Sequence, residues 1–418
     1  MIIRLFLIAL LTVSGSGQAV QAVNPPGLLP AIIAQQLLQQ DPGVAAVRAN
    51  LNVALQEAGI LDKSPYEWTA KVTGQRRVQD YGSNNSSNGN RKEWNVGIER
   101  AFRLPGKAVA DRNIGKATVE ESQARYGEAM HGAARELMAL WIDWLAAERA
   151  RELAENSLQL TRISLAAVQK RVRAGDASKL DLSIARAELA DQRRLGNDVK
   201  TQVAAAWSRL SIRFPGMKRQ FMVLPMPLPI GGDAAFWRDH ILDQSDEFKV
   251  AQTQMQMAQA YAERARADKT PDPRVGIFHA SEIDGRERIS GLMLSIPIPS
   301  GVRDSRSAKA IAAVEVSRQE VELKKRQLES EIVSAVMTAR GAYVSLQIAN
   351  EGAEAMQENA RLMQRAYTLG EAELQAMLLA RRQATAAMTN ALQAQVTALT
   401  SYYKLLVDAH LIWGLENG

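Results

Sequence analysis

No cysteine occurs anywhere in the chain, which excludes disulfides, thiolate metal sites and a lipid-bearing N-terminal Cys. Long apolar runs are scarce too. After the first residues, no segment approaches the ~18 to 20 uninterrupted apolar residues that a helix needs to cross a bilayer, so any membrane crossing must use strands. Aromatic residues make up only 5% of the chain, and Ala, Gln, Leu, Arg and Glu dominate the second half of each repeat described below. Such a composition favours long helices over a compact mixed domain. Acid and base nearly balance, with 51 Lys and Arg against 45 Asp and Glu. The bases are interspersed with acids and form no block, which argues against nucleic acid as a partner.

The extreme N-terminus reads as an address. Arg4 precedes an apolar run over residues 5–13, then small residues ending in Val20-Gln21-Ala22. That is the order of a secretory signal peptide, with cleavage expected after Ala22. That span of nine residues would cover roughly 14 Å as a helix, about half the hydrocarbon thickness, a poor permanent anchor.

The remainder reads as two copies of one unit: helix, hairpin, long helix, sharp turn, long helix. Residues 37–47 (LLQQDPGVAAV) match residues 241–251 (ILDQSDEFKVA) in pattern; further on, Pro105 is set against Pro299 and Leu180 against Leu374. The first repeat is expected over 23–213 and the second over 236–418, joined by a Pro-rich segment over 214–235 that wraps the helices.

Each hairpin carries strand signals. Tyr66, Trp68, Ala70 and Val72 alternate with polar residues, as do Trp94, Val96 and Ile98. The Gly, Asn and Ser content of residues 77–91 marks an exposed loop between them. The second hairpin sets Val275 and Ile277 against Leu292, Leu294 and Ile296 around a turn at Asp284-Gly285, with His279 where an apolar residue is expected. Membrane strands are expected at about 65–76, 91–103, 272–281 and 287–298, apolar toward lipid and polar toward water.

Both hairpins run into a proline, which suits the first turn of a helix and breaks a central strand. No further proline follows from Pro105 to Gly175 or from Pro299 to Gly370. Long helices are expected at about 105–173, 178–213, 302–369 and 372–413; a stretch of ~70 helical residues extends roughly 105 Å. Leu137, Leu140, Trp141, Trp144 and Leu145 make one packing face, and Leu392, Val396, Leu399, Tyr403 and Leu406 a heptad seam. Gly175 and Gly370 end the first helix of each pair, with Asp176 or Ser178 placed to cap the returning helix.

Four strands cannot close a barrel, and open sheet edges are not tolerated in lipid. Three copies would supply twelve strands, above the bacterial minimum of eight; two or four also satisfy the arithmetic.

The two hairpins, the helical hairpins, and the segments RVRAGDASKLDLSIAR (171–186) and RAYTLGEAELQAMLLARRQ (365–383) resemble the TolC family of outer-membrane efflux proteins over essentially the whole mature chain. The resemblance implies a mainly α fold with membrane β: a homotrimer with a twelve-stranded β-barrel continued by a periplasmic α-helical barrel. It also implies that the tips meet a periplasmic adaptor linked to an inner-membrane resistance-nodulation-division pump. On this sequence the adaptor-docking tips are Arg173, Ala174, Gly175, Thr368, Leu369 and Gly370. Some relatives carry a ring of aspartates above the second tip. Here the matching positions are Ala376 and Leu379, so Asp181, Glu371 and Glu373 are the candidate periplasmic entrance charges. The GEAEL tip followed by Ala380-Arg381-Arg382 is similar to the cobalt-zinc-cadmium branch, implying heavy-metal resistance. The alternatives are a duct for drugs or organic molecules, type I protein secretion, or, in another class, a soluble periplasmic coiled-coil scaffold or adaptor.

No residue set asks for catalysis, and no cofactor or resident metal is expected. His131, His240, His279 and His410 are scattered, none with a carboxylate or second histidine at metal-ligand spacing. Met217, Met222 and Met226 offer a soft-metal cluster, but core filling is the commoner use.

Overall fold

The computed structural model describes residues 27–79, 89–220 and 222–415. The expected signal peptide, and residues 80–88 of the loop in the first hairpin, lie outside the described residues.

The first repeat runs α1 (Ala31–Gln39), α2 (Pro42–Asp62), β1 (Thr69–Gln79), β2 (Gly89–Ala101), α3 (Pro105–Ala174) and α4 (Lys179–Arg213); the second runs α5 (Ala234–Gln244), α6 (Asp246–Ala267), β3 (Arg274–Glu282), β4 (Glu287–Ser295), α7 (Gly301–Leu369) and α8 (Leu374–Asp408). The opening helix of each unit is interrupted at one equivalent place. Asp41 accepts from the Val44 N–H at 3.0 Å and Ser245 from the Phe248 N–H at 3.2 Å, so each caps a second helix and ends the first.

The four strands form one antiparallel sheet in the order β1-β2-β3-β4, so the repeats meet where β2 pairs with β3. Register puts Ala70, Ile98, Ile277 and Leu292 in one row, and Val72, Val96, His279 and Ser290 in the next. These rows share a face because side chains alternate along a strand. Lys71, Thr73, Gln75, Asn95, Glu93 and Glu99 lie on the other.

Below the sheet the helices make a wall. Next to it, α2, α3, α6 and α7 pack in that order; further down the order is α4, α3, α8, α7. α3 and α7 run through both halves, and their 70 and 69 residues extend about 105 Å each. Among the described residues only α7 has an 18-residue window of mean hydropathy as high as 1.2. That helix is more than three times the length a bilayer takes.

The main core sits at mid-height, where α1, α3, α4 and α8 converge. Leu137, Trp141, Trp144 and Leu145 of α3 meet Leu210 of α4 and Leu399 and Tyr403 of α8. The Trp141, Trp144 and Trp207 rings follow one another at 5.0 and 4.9 Å between centroids, each pair tilted by 57°. The Pro-rich connector crosses this level: Gln395 of α8 donates to the Pro225 carbonyl at 2.8 Å, and Arg219 to Glu148 of α3 at 2.6 Å. Met217 and Met222 pack on the core while Met226 is exposed, so the three do not converge as a soft-metal cluster.

Several sequence expectations shift. β1 starts at Thr69, beyond Tyr66, because Arg100 takes the Tyr66 carbonyl at 3.0 Å and Asp272 takes its hydroxyl at 2.5 Å. Pro105 is the first residue of α3, but Pro299 lies outside α7, whose N-cap is Ser300. α8 stops at Asp408, not near 413: His410 and Trp413 take φ of 57° and 61°, and the tail folds back so that the Trp413 indole donates to the Leu29 carbonyl at 2.9 Å.

Candidate channel wall and hairpin tips

The sheet separates two chemistries. On its apolar face Val72, Ile277, Leu292 and Leu294 stand open, Leu292 at 82% exposure. On its polar face Gln75 donates to Glu93 at 2.7 Å, Arg77 pairs with Glu93 at 3.1 Å and with Glu282 at 3.3 Å, and Arg274 with Glu99 at 3.0 Å. Such a ribbon fits a barrel wall with lipid on one side and water on the other. His279, on the apolar face, turns its Nδ1 to Ser290 Oγ at 2.8 Å. β1 and β4 each have one unpaired edge.

Where strands become helices, a buried charge network holds the first junction. Lys107, 2% exposed, sits 3.2 Å from Asp268 and 3.0 Å from Asp272. Asp272 also accepts from the Leu104 N–H at 3.0 Å, while Arg103 and Arg264 share Asp111 at 2.9 and 2.5 Å. The hydrogen bond to Asp272 pushes the Tyr66 pKa up to about 12. Burial acts to raise the Asp272 pKa, but hydrogen bonds from Tyr66, Leu104 and Lys107 outweigh it and hold the carboxyl below its ordinary range. These charges carry no sequence motif; Asp268 and Asp272 lie far from Lys107 along the chain.

At the opposite end both tips make one backbone turn. The N–H groups of Gly175 and Asp176 donate to the carbonyls of Val172 and Arg171 at 3.2 and 2.8 Å; those of Gly370 and Glu371 donate to Tyr367 and Ala366 at 3.2 and 2.9 Å. This pairing satisfies helix-end carbonyls and needs a left-handed residue, here glycine at φ 85° and 80°. Arg173, Ala174, Gly175, Thr368, Leu369 and Gly370 are all exposed.

The returning helices start differently. Ser178 accepts from the Asp181 N–H at 3.0 Å while Asp181 accepts from the Ser178 N–H at 3.0 Å, a reciprocal capping box. Asp181 is thereby engaged in local structure. Glu373 occupies the equivalent cap with no side-chain bond, and it and Glu371 are exposed. Matching the caps sets Leu180 against Gln375, one residue off the sequence pairing with Leu374. Leu180 is accordingly 65% exposed and Leu374 is 4% exposed.

The second tip leans on the first repeat. Leu374, Met377 and Leu378 pack with Tyr367, Val168 and Ala185, and the Arg171 guanidinium lies 5.1 Å from the Tyr367 ring centroid. Above them Arg381 donates to Ser164 of α3 and to Gln364 of α7, each at 2.5 Å. Arg382 donates to buried Glu188 of α4 at 2.8 Å. Burial pushes the Arg381 pKa down against the raising influence of Glu188. A cavity of about 650 Å³ beside them is lined by Ser157, Gln192, Glu354 and Arg361 among others.

The scattered histidines require a correction. The fold brings His131, Asp246 and His410 together, with one ligand atom from each lying within 4.8 Å of the others.

Comparison with known proteins agrees with this geometry. The outer membrane efflux protein family matches over residues 33–212 and 237–406, one match per repeat and most of the chain. No curated protein sequence matches. Among solved structures, the open state of the Neisseria gonorrhoeae MtrE outer membrane channel superposes with a TM-score of 0.74 at 17% identity, covering 92% of this chain and 89% of that one. The Vibrio cholerae outer membrane protein VceC gives 0.72 at 13%, covering 90% and 95%. The Campylobacter jejuni CmeC outer membrane channel gives 0.71 at 15%, covering 92% and 85%. The chain belongs to the outer membrane efflux protein family: it is a subunit of an outer-membrane exit duct, and not an enzyme.

Proposed function

We propose that three copies of this chain close head to tail into one conduit, a twelve-stranded barrel in the outer membrane continued by a helical tube in the periplasm. The observation that carries this reading is a coincidence of edges. β1 and β4 are the unpaired strands, and α2 and α7 the outermost helices beneath them. Open strand edges cannot remain in lipid. With four strands alternating in direction, β4 of one copy meets β1 of the next antiparallel. α7 also presents Val316, Leu323, Met337 and Val344, spaced in multiples of seven and 51–58% exposed. That is a seam for a neighbouring helix.

Because the chain has no cysteine, engineered pairs test this cleanly. A panel with one cysteine on β1 and one on β4 should give oxidised ladders ending at three chains. Ladders ending at two or four, or no ladder from membrane-inserted protein, would refute the trimer.

The exposed tips are the docking surface for a periplasmic adaptor that joins the duct to an inner-membrane pump. The acidic side chains proposed for the entrance are Glu371, Glu373 and Asp181, of which Asp181 also caps its own helix. Residues 1–22 direct export and are removed. The cargo is heavy-metal cations, a reading supported by the resemblance of residues 370–374 and Ala380-Arg381-Arg382 to the cobalt-zinc-cadmium branch. Deleting the gene should raise sensitivity to zinc, cobalt or cadmium. Loss of dye tolerance alone would reassign the cargo to organic molecules, and loss of a secreted protein would reassign it to type I secretion.

A further inference from the structure

Three residues far apart in sequence meet in the upper half of the wall. His131 comes from the middle of α3, Asp246 is the first residue of α6, and His410 lies just past the end of α8. His131 and His410 are 3% and 8% exposed, and their ring centroids are 4.0 Å apart. His131 Nε2 is buried without a hydrogen-bond partner and stands 3.6 Å from Asp246 Oδ2. A buried polar atom left without a hydrogen bond is costly, so the arrangement needs an explanation.

The surroundings are shaped around these groups. One helical turn before His131, α3 carries Gly127, where an added Cβ would lie 2.6 Å from the Asp246 carboxylate. Only glycine lets that carboxylate lie against the helix beside the imidazole. At the end of α8, the N–H groups of His410 and Leu411 donate to Val407 and Leu406 at 3.0 and 2.9 Å. This is the turn of both hairpin tips, but with histidine in the left-handed position at φ 57°. Glycine takes that conformation freely, whereas another residue there costs of order 1 kcal/mol, so the imidazole is held in place against a local cost. The adjoining cavity, about 160 Å³, is lined by Glu128, Asp246, Glu247, Glu331 and Asp408 against Arg135 and Lys404, while Lys249 and Lys324 pair with Asp246 and Glu247.

We propose that His131, Asp246 and His410 form a binding site for a resident divalent transition-metal ion of the zinc class. Two imidazoles and one carboxylate are a recognised donor set for such ions. Tetrahedral ligands at ~2.05 Å from a metal lie about 3.3 Å from one another. Ligand atoms within 4.8 Å of one another stand at most about 1.5 Å wider than that spacing. The ion would join the first repeat, the second repeat and the C-terminal tail at one point, as a structural staple. This site lies within one subunit and does not rest on the cargo proposed above.

The test uses the untagged, detergent-purified oligomer, stripped with chelator and titrated with Zn²⁺ and with Co²⁺ as a visible reporter. One ion per chain should bind, the unfolding midpoint should rise by several degrees, and Co²⁺ should develop ligand-field bands. Replacing His131→Gln or His410→Gln, with oligomer and helix content intact by native gel and circular dichroism, should weaken binding by at least about tenfold, since even outer-shell changes cost 10–100-fold. Asp246→Asn gives a third variant should a histidine replacement fail to assemble. Absence of Zn²⁺ or Co²⁺ binding to the stripped wild type overturns the proposal. So does binding that is unchanged in any assembled variant.

Discussion

α3 and α7 hold equivalent places in the two repeats and differ by one residue in length, yet 22 residues of α3 are buried within the subunit against 8 of α7. Duplication made the backbones alike; position in the wall made them unequal. α3 is interior, flanked by α2 or α4 on one side and α6 or α8 on the other, whereas α7 lies at an edge. The junctions above them follow suit. Lys107 at the head of α3 is buried among carboxylates, whereas Ile298, before α7, is 93% exposed. α7 is thus the outer helix of the second repeat in both halves of the wall, a place the first repeat divides between α2 and α4.

Cutting into each helix separates these roles. Trp141 is fully buried and donates to the Gly27 carbonyl at 2.8 Å, so Trp141→Ala should cost about 3–5 kcal/mol and lower subunit stability in urea, read by circular dichroism. Leu323→Asn on the open seam of α7 should change that stability by less than about 0.5 kcal/mol, as surface changes do. It should nevertheless reduce the oligomer on native gels. Equal losses from the two would show that α7 is buried within its own chain.

The junctions give the next contrast. Lys107→Ala should cost about 3 kcal/mol, the lower end for a broken buried pair, because Asp272 keeps its bonds from Tyr66 and Leu104. Asp268 and Asp272 are both held below the ordinary carboxylate range. A depressed folded pKa contributes stability at neutral pH that is lost as pH falls through the folded value, here below the usual ~3.9. Acid unfolding of the Lys107→Ala variant should therefore begin at higher pH than in the wild type. Lys269→Ala at the second junction removes an exposed pair with Asp304 and should shift neither the midpoint nor the acid limb measurably.

What the sequence disclosed and what it hid follow the same division. Strand faces were legible because lipid and water impose a period of two, visible in Val72, Val96, Ile277 and Leu292. The helix reversals were legible because Gly175 and Gly370 are needed by the backbone itself. Contacts between distant segments left no local trace. Lys107 with Asp272, Arg381 with Ser164, and His131 with Asp246 and His410 each join separate elements, and no spacing rule reaches across them. Pro105 and Pro299 read alike as strand-to-helix marks, yet Pro105 is the first residue of its helix while Pro299 stands just outside, a difference that only the cap residues reveal.

The smallest effects separate the two tips. Replacing Gly175 or Gly370 by alanine should cost about 1–2 kcal/mol at either position, since the penalty is the left-handed backbone and an added Cβ meets nothing within 4 Å at either site. The caps should not behave alike. Ser178→Ala removes a working capping box and should lose about 1 kcal/mol, read as faster amide exchange in the first turn of α4. Glu373 caps nothing, so Glu373→Ser should add about 0.5–1 kcal/mol and slow exchange at the start of α8. A gain there would mean that the second tip relies on Leu374, Met377 and Leu378 packing against the first repeat, with its local cap left unoptimised. No gain would mean that this packing already fixes the first turn of α8 as firmly as a cap could, and the contrast between the tips would then be one of mechanism without a difference in local stability.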